Sequence, residues 1–421
     1  MTTSGSFSDD IRSAPVDPWG KVKARGLDGV PRERISTLGL TVDGFATPLL
    51  TIDAGAVAGN AMALEQWCHE RGFRTAPHGK TTMAPQIWQR QMSAGSWGIT
   101  VATEAQLDIA WRAGVPRLQL ANNLVRPEGV RTLRERLQRV PRREVLVWVD
   151  SVAAVEALRS DAGPEIAVLL DVGWPGGRTG VRDAAEAAAV VDAVRTTTGV
   201  RLVGTAGYEG AIGPAEADAH APMADYLRAL LHIHRSIVQP ECAGEIYLSI
   251  AGSDQLDEVG RALAACPPED GVVLIRSGMS IVHDHGLYAR QQEHAPPGVP
   301  RFRPALALVS TVLSVHEGAR AILDVGRRDA GHDHGLPVAL EVWRDGGVVE
   351  RLEAPLEVSA LNDQHAFLDV STFSERVRVG DKVVCGVSHS CTTMDRWRDI
   401  VEISGPVRPD EPVVGLIRTL F

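Results

Sequence analysis

From Thr47 onward, short apolar runs alternate with longer stretches rich in Ala, Leu, Glu and Arg. The runs are Thr47–Asp53, Arg74–His78, Gly98–Ala102, Arg117–Asn122, Glu144–Asp150, Ile166–Asp171, Arg201–Ala206, Glu245–Ile250 and Gly271–Arg276. The stretches between them, such as Ala56–Arg71, Thr103–Ala113 and Ala184–Thr197, read as helices. Strands alternating with helices every ~25 residues predict a parallel α/β fold. Nine runs come close to the eight strands of a TIM-type (β/α)8 barrel, with one strand left outside it. An open doubly wound sheet is the alternative. No glycine-rich dinucleotide fingerprint follows the first run, which counts against it.

After Pro304 the pattern changes. Ala305–Val315, Ala319–Val325, Val338–Trp343, Leu356–Ala360, Ala366–Val370, Lys382–Val387 and Asp399–Ile403 are short, Val-rich and separated by turns, with Gly346-Gly347 placed for a hairpin. This predicts a C-terminal antiparallel β domain. Residues 1–44 are polar and irregular, with Pro15, Pro18 and Pro31, and read as a tail that packs on the β domain. The expected boundaries are a tail over 1–44, a barrel over 45–303 and a β domain over 304–421.

Composition narrows the partners. Hydrophobic residues make up 44% and charged residues 23%, as in a soluble globular protein. A net charge of −10 and a pI near 5.7 argue against nucleic acid or an anionic membrane surface. No apolar run is long enough to span a bilayer. The stretch Met1–Asp10 lacks the apolar core of a secretory signal. The five cysteines, Cys68, Cys242, Cys266, Cys385 and Cys391, are scattered and read as reduced thiols. A cytoplasmic enzyme is the expectation.

In such barrels, catalytic groups gather at the carboxyl ends of the strands. There lies Ala76-Pro77-His78-Gly79-Lys80-Thr81-Thr82. A lysine in a tight, partly desolvated turn has a lowered pKa, so its amine can act as a nucleophile. Asp171 ends the sixth run and leads into Gly173, Gly176, Gly177 and Arg178; Tyr208-Glu209-Gly210 follows the seventh. Ala251-Gly252-Ser253-Asp254 and Arg276-Ser277-Gly278 follow the last two. Those two loops suit a phosphate, because glycine lets backbone N–H groups approach and serine donates further bonds. A nucleophilic lysine, a phosphate cup and ring-tuning side chains together suggest pyridoxal 5'-phosphate. Far downstream, His389-Ser390-Cys391 puts His and Cys at alternate positions of a presumed strand, where both can face one soft metal ion. Alone, each feature also reads as an ordinary turn, a solvated lysine or a packed strand; the argument rests on their coincidence.

The remaining candidates are weaker. His283-Asp284-His285 follows the ninth run, so Asp284 is a candidate substrate or metal contact. His365 is a candidate third metal contact. His332-Asp333-His334 reads as an exposed or structural loop, and Cys385, Trp343 and Trp397 as core.

Over about residues 45–405 the chain resembles the D-threonine aldolase and D-serine dehydratase family, the metal-assisted members of the alanine-racemase-like (fold type III) pyridoxal enzymes. Thr47-Pro48-Leu49 through Asp53 and Asn60 is similar to the family's opening strand and helix, and Pro77-His78-Gly79-Lys80-Thr81 to its cofactor-lysine motif. Asp171-Val172-Gly173 with Arg178-Thr179-Gly180 resembles the segment whose arginine contacts the cofactor's phenolic oxygen. Arg276-Ser277-Gly278 through Tyr288 resembles its Arg-Pro-Gly…Tyr strand. Gly380-Asp381-Lys382-Val383 with His389-Ser390-Cys391 matches its metal motif, preceded by Asn362-Asp363-Gln364-His365. Two positions depart: Thr82 and Ala211 stand where the family tends to have histidine, which touches the aldolase reaction more than the fold or cofactor.

The resemblance implies a pyridoxal-phosphate- and metal-dependent lyase acting on a D-configured β-hydroxy amino acid. Lys80, Arg178, Tyr208, Gly252, Ser253, Ser277 and Gly278 would hold the cofactor, with Lys80 catalytic, and His389 and Cys391 the metal. Thiolate ligation favours zinc over Mn or Mg, and with it dehydration to a 2-keto acid and ammonia. Retro-aldol cleavage to glycine and an aldehyde is the alternative. A non-catalytic cofactor-binding protein or a racemase ranks lower, since the small pyridoxal-binding regulators lack a β domain and a metal pair. A homodimer is also implied.

Overall fold

The computed structural model describes residues 7–212, 220–253, 256–265, 271–316, 319–373 and 375–421. Asp254, Cys266 and the first residues of Met1–Asp10 lie outside the described residues. Eight parallel strands follow one another in sheet order: Arg74–Thr75, Val272–Ile275, Tyr247–Ile250, Val200–Gly207, Ile166–Val172, Glu144–Val149, Arg117–Asn123 and Ile99–Val101. The two ends meet. Trp97 N–H donates to Thr75 O at 2.8 Å and Thr100 N–H to Pro77 O at 2.9 Å, which closes the sheet into the expected barrel. The strands are buried on both faces, as parallel strands under helices must be, hence their continuous apolar runs.

The helices start where the chemistry of caps dictates. Asp53 accepts from Ala56 N–H at 2.9 Å to open Ala54–His69. Asp183 accepts from Ala185 and Glu186 N–H to open Ala184–Thr196, and Pro85 begins Pro85–Ala94.

The first apolar run is the strand that stays outside the barrel. Leu49–Asp53 pairs antiparallel with Leu306–His316 and parallel with Asp399–Ile403, so it belongs to the β domain. That domain also holds Val338–Arg344, Gly347–Glu357 and Lys382–Gly386, with Arg320–Leu323 and Ala366–Asp369 alongside. The N-terminal segment has a core of its own against this sheet. Val16, Val22, Leu27, Ile35 and Phe45 are buried with Val309, Trp343 and Val401. Arg32 pairs with Asp399 at 2.8 Å inside it. Cys385 and Trp397 are core residues, as expected.

Candidate active site

The Lys80 turn is walled in. Gly79 packs so closely on Ile99 and Trp88 that an added Cβ would lie 2.7 Å from Ile99 Cγ2, so only glycine fits. His78 N–H donates to Arg276 O at 3.1 Å, tying the turn to the last barrel strand. Lys80 is half-buried. Burial lowers its pKa, Cys391 opposes that, and the Arg178 and Arg276 guanidinium groups lower it further. Burial also keeps His78 neutral, helped by Lys80, Arg276 and Arg178.

Arg178 comes in on a pinned loop. Asp150 accepts from Gly180 N–H at 3.0 Å, and Arg182 donates to Thr179 O at 2.7 Å and Gly177 O at 3.0 Å. Gly180 (φ +95°) lies against Gly173, where no side chain fits. The guanidinium sits 4.7 Å over the Tyr208 ring, which places both on one wall of the site. Asp171 lies beneath this loop; burial raises its carboxyl to about 6.

Arg276 belongs to the Arg276-Ser277-Gly278 motif, and the sequence alone assigns it no role. It is buried, donates to Ser249 Oγ at 3.0 Å and Gly207 O at 2.5 Å, and lies 4.9 Å over Trp148. Its charge is near enough to Lys80 to lower that lysine's pKa. The two loops expected to form a phosphate cup meet through their serines. Ser277 Oγ donates to Ser253 Oγ at 3.2 Å, which accepts from Met279 N–H at 2.9 Å. Gly252 N–H instead donates to the buried Glu209 carboxylate, which also takes Ala251 N–H at 3.2 Å. The cup thus rests on Ser253, Ser277 and Gly278.

The metal motif differs from expectation in local structure. His389 and Cys391 do not alternate along a strand. Lys382–Gly386 ends before them, His389 is the N-cap of the short helix Ser390–Met394, and Cys391 lies in its first turn. Cys391 Sγ turns into the barrel mouth, 3.5 Å from Thr81 Oγ1 and 3.1 Å from Met279 Sδ. Burial pushes its thiol up to about 11; Thr81 and Lys80 work against this, and the Asp333 and Asp284 carboxylates add to it. His389 Nδ1 lies 2.7 Å from Asp333 Oδ2. Asp333, His334 and His389 bring ligand atoms within 4.8 Å of one another, so the loop that reads as exposed or structural meets the metal motif. This contact spans the domain and leaves no local signal. His365 is exposed and outside that cluster. Asp284 is fully buried. Its Oδ1 accepts from Gly286, Tyr288 and Ala289 N–H, while Oδ2 has no partner; burial raises the carboxyl to about 6.

These residues fit both groups. His78 Nδ1 and Thr82 Oγ1, on either side of Lys80, are buried without hydrogen-bond partners. Orphaned polar atoms beside a depressed lysine, two guanidinium groups and a serine pair fit a phosphorylated ring aldehyde. An imidazole grouped with Asp333 and His334, and a thiol two residues on, whose proton the Asp333 and Asp284 carboxylates help to retain, are donor types that suit a divalent cation.

Residues 305–403 match the model of the putative serine dehydratase domain. A D-threonine aldolase from Arthrobacter sp. is 24% identical over 367 residues, covering 86% of this chain and 90% of that protein. A D-threo-3-hydroxyaspartate dehydratase from Delftia sp. (strain HT23) is 25% identical over 382 residues, covering 84% and 92%. The resemblance read from the sequence holds. The fold agrees: D-threonine aldolase from Filomicrobium marinum superimposes with a TM-score of 0.74 at 22% identity, covering 90% of this chain and 96% of that one. Among the described residues, no helix is long and apolar enough to cross a membrane.

Proposed function

We propose that this chain, a lyase like the relatives it resembles, uses pyridoxal phosphate and a divalent metal to dehydrate a D-configured β-hydroxy amino acid to a 2-keto acid and ammonia. The observation that carries this reading is the 3.5 Å contact of Cys391 Sγ with Thr81 Oγ1. It puts the metal motif of the β domain against the residue next to Lys80.

Bound pyridoxal phosphate supplies an electron sink for the charge left when the Cα proton departs. Lys80 would hold the cofactor, and its Nζ would take that proton; its lowered pKa makes the amine available as a base nearer neutral pH. Ser253, Ser277 and the Gly278 backbone grip the phosphate end. Arg178 would meet the ring with a planar guanidinium, a role a lysine does not reproduce geometrically. A metal at His389 and Cys391, zinc by ligand softness, supplies Lewis-acid help to the departing β-hydroxyl. The buried Thr82 hydroxyl occupies the position beside the Lys80 turn where the family tends to have histidine.

The Arthrobacter relative favours a second reading, cleavage of Cα–Cβ to glycine and an aldehyde. Family resemblance also supports a homodimer. Product analysis after incubation with D-serine, D-threonine and their L-forms decides between the reactions. Ammonia with a keto acid from D-forms alone supports dehydration, glycine with an aldehyde supports the aldolase, and no turnover of any D-form removes the reading.

A further inference from the structure

The metal pair does not account for the loop at residues 331–335. Asp333 is half exposed, yet it is held as few surface carboxylates are. Its Oδ2 lies 2.7 Å from His389 Nδ1, and its Oδ1 accepts from Thr392 Oγ1 at 2.6 Å. The loop that carries it is anchored to the same helix start. Gly331 N–H donates to Thr393 Oγ1 at 3.0 Å, and Ser388 Oγ donates to Gly335 O at 2.7 Å and Gly331 O at 3.2 Å. Thr393 Oγ1 in turn donates to His389 O at 2.8 Å. His334 lies against the His389 ring, with centroids 4.6 Å apart, and its Nε2 is 3.9 Å from the same Asp333 Oδ2.

We propose that Asp333 is a positioning residue for the metal: it accepts the Nδ1 proton of His389, fixing the ring and its tautomer so that Nε2 is the metal donor beside Cys391. This rests on the reading of His389 and Cys391 as metal ligands. A neutral imidazole has one ring nitrogen protonated and one free, and the partner of the first decides which nitrogen binds the metal. The contact is a hydrogen bond, and the cobalt spectrum below separates this role from direct ligation. At 2.7 Å, Nδ1 and Oδ2 are at the length of a charge-assisted hydrogen bond. A carboxylate behind the ring also makes its far nitrogen a better donor. Because Thr392 binds the other oxygen, the carboxylate cannot rotate away from His389 without losing that bond as well.

The test is the zinc dissociation constant of the full chain, measured by competition with a chromophoric chelator, together with the absorption spectrum of the cobalt-substituted protein. His389→Ala and Cys391→Ala should lose stoichiometric zinc. Asp333→Ala should still bind one zinc, about 10- to 100-fold more weakly, and keep the sulfur-to-cobalt charge-transfer band. Asp333→Asn should fall between, since its amide oxygen still accepts from Nδ1 but carries no charge; it also serves if the alanine variant fails to fold. An Asp333→Ala affinity within twofold of the parent overturns the proposal. So does loss of zinc as complete as in His389→Ala with an altered cobalt band, which would make Asp333 a ligand. If His389→Ala and Cys391→Ala bind zinc as the parent does, the metal reading itself falls, a different outcome from either.

Discussion

Gly278→Ala tests whether the phosphate loop and the lysine turn form one unit. Gly278 has φ −97°, ordinary for any L-residue, so backbone conformation does not demand glycine. Space does. An added Cβ would lie 2.6 Å from His78 O, 2.7 Å from Thr81 Oγ1 and 2.9 Å from His78 Cβ, all too close. His78 cannot simply yield, because its N–H is bonded to Arg276 O in the same loop. The alanine must push the two loops apart by several tenths of an ångström. Overpacking of this kind costs ~1–3 kcal/mol. At about 2–4 °C per kcal/mol for a domain of some 250 residues, cofactor-free protein should melt roughly 2–12 °C lower by circular dichroism. Gripping one phosphate while Lys80 reaches the ring requires both loops in place. Whatever part of the cost falls on the bound state weakens pyridoxal-phosphate loading, at most about 150-fold. Visible absorbance titration reads the loading. Parental melting with parental loading would show that the loops at 78–81 and 276–279 do not pack as described.

Three further outcomes follow from the same geometry. Arg178→Lys should retain cofactor but lose most of kcat, since the pinned loop fixes a planar guanidinium that an ammonium does not replace; unchanged steady-state kinetics would remove Arg178 from the site. Asp171 titrates near 6 when folded against an ordinary 3.8, so the folded state favours its protonated form. Its contribution is present below pH ~4 and lost as pH rises through ~6. Asp171→Asn should therefore gain stability relative to the parent as pH goes from 4 to 8 in cofactor-free protein, by up to about 3 kcal/mol; a constant difference across denaturant melts at both pH values contradicts this. Cys391→Ala should lose zinc and nearly all turnover while keeping the cofactor's visible band, because the proposal gives the ring to the barrel and the metal to the β domain; loss of the band along with the zinc contradicts that division of labour.

The barrel was legible because strands such as Glu144–Val149 and Ile166–Val172 are buried almost throughout, which writes a nearly continuous apolar run into the sequence. The same property hid the fate of the first run: Leu49–Asp53 is equally buried, and nothing in a buried run says which sheet holds it. Gly347–Glu357 was read only from Leu356 onward because it is an edge strand with a mixed, half-exposed pattern. The N-terminal segment looked like a tail, since its buried Val16, Leu27 and Ile35 follow no helical or strand period. In the site, Lys80, Arg178 and the Ser253–Ser277 pair were readable because barrel topology dictates where strand ends converge. The spacing of His389 and Cys391 was readable, but the turn into a helix between them was not; it depends on bonds from Gly331 and Asp333, more than fifty residues earlier in the chain. Glu209 was named in a motif, yet its hold on the Gly252 amide appears only when two barrel loops are brought together.

The central claim is that one lysine and one metal, brought together from two domains, carry a single elimination. The most direct test follows keto acid and ammonia from D-serine, D-threonine and D-threo-3-hydroxyaspartate in cofactor-loaded protein, before chelation, after it, and after zinc is returned, with Lys80→Ala alongside. The account predicts turnover of at least one of these that vanishes on chelation, returns with zinc and is absent throughout in Lys80→Ala. Full turnover in metal-free protein, or turnover in Lys80→Ala, would contradict it.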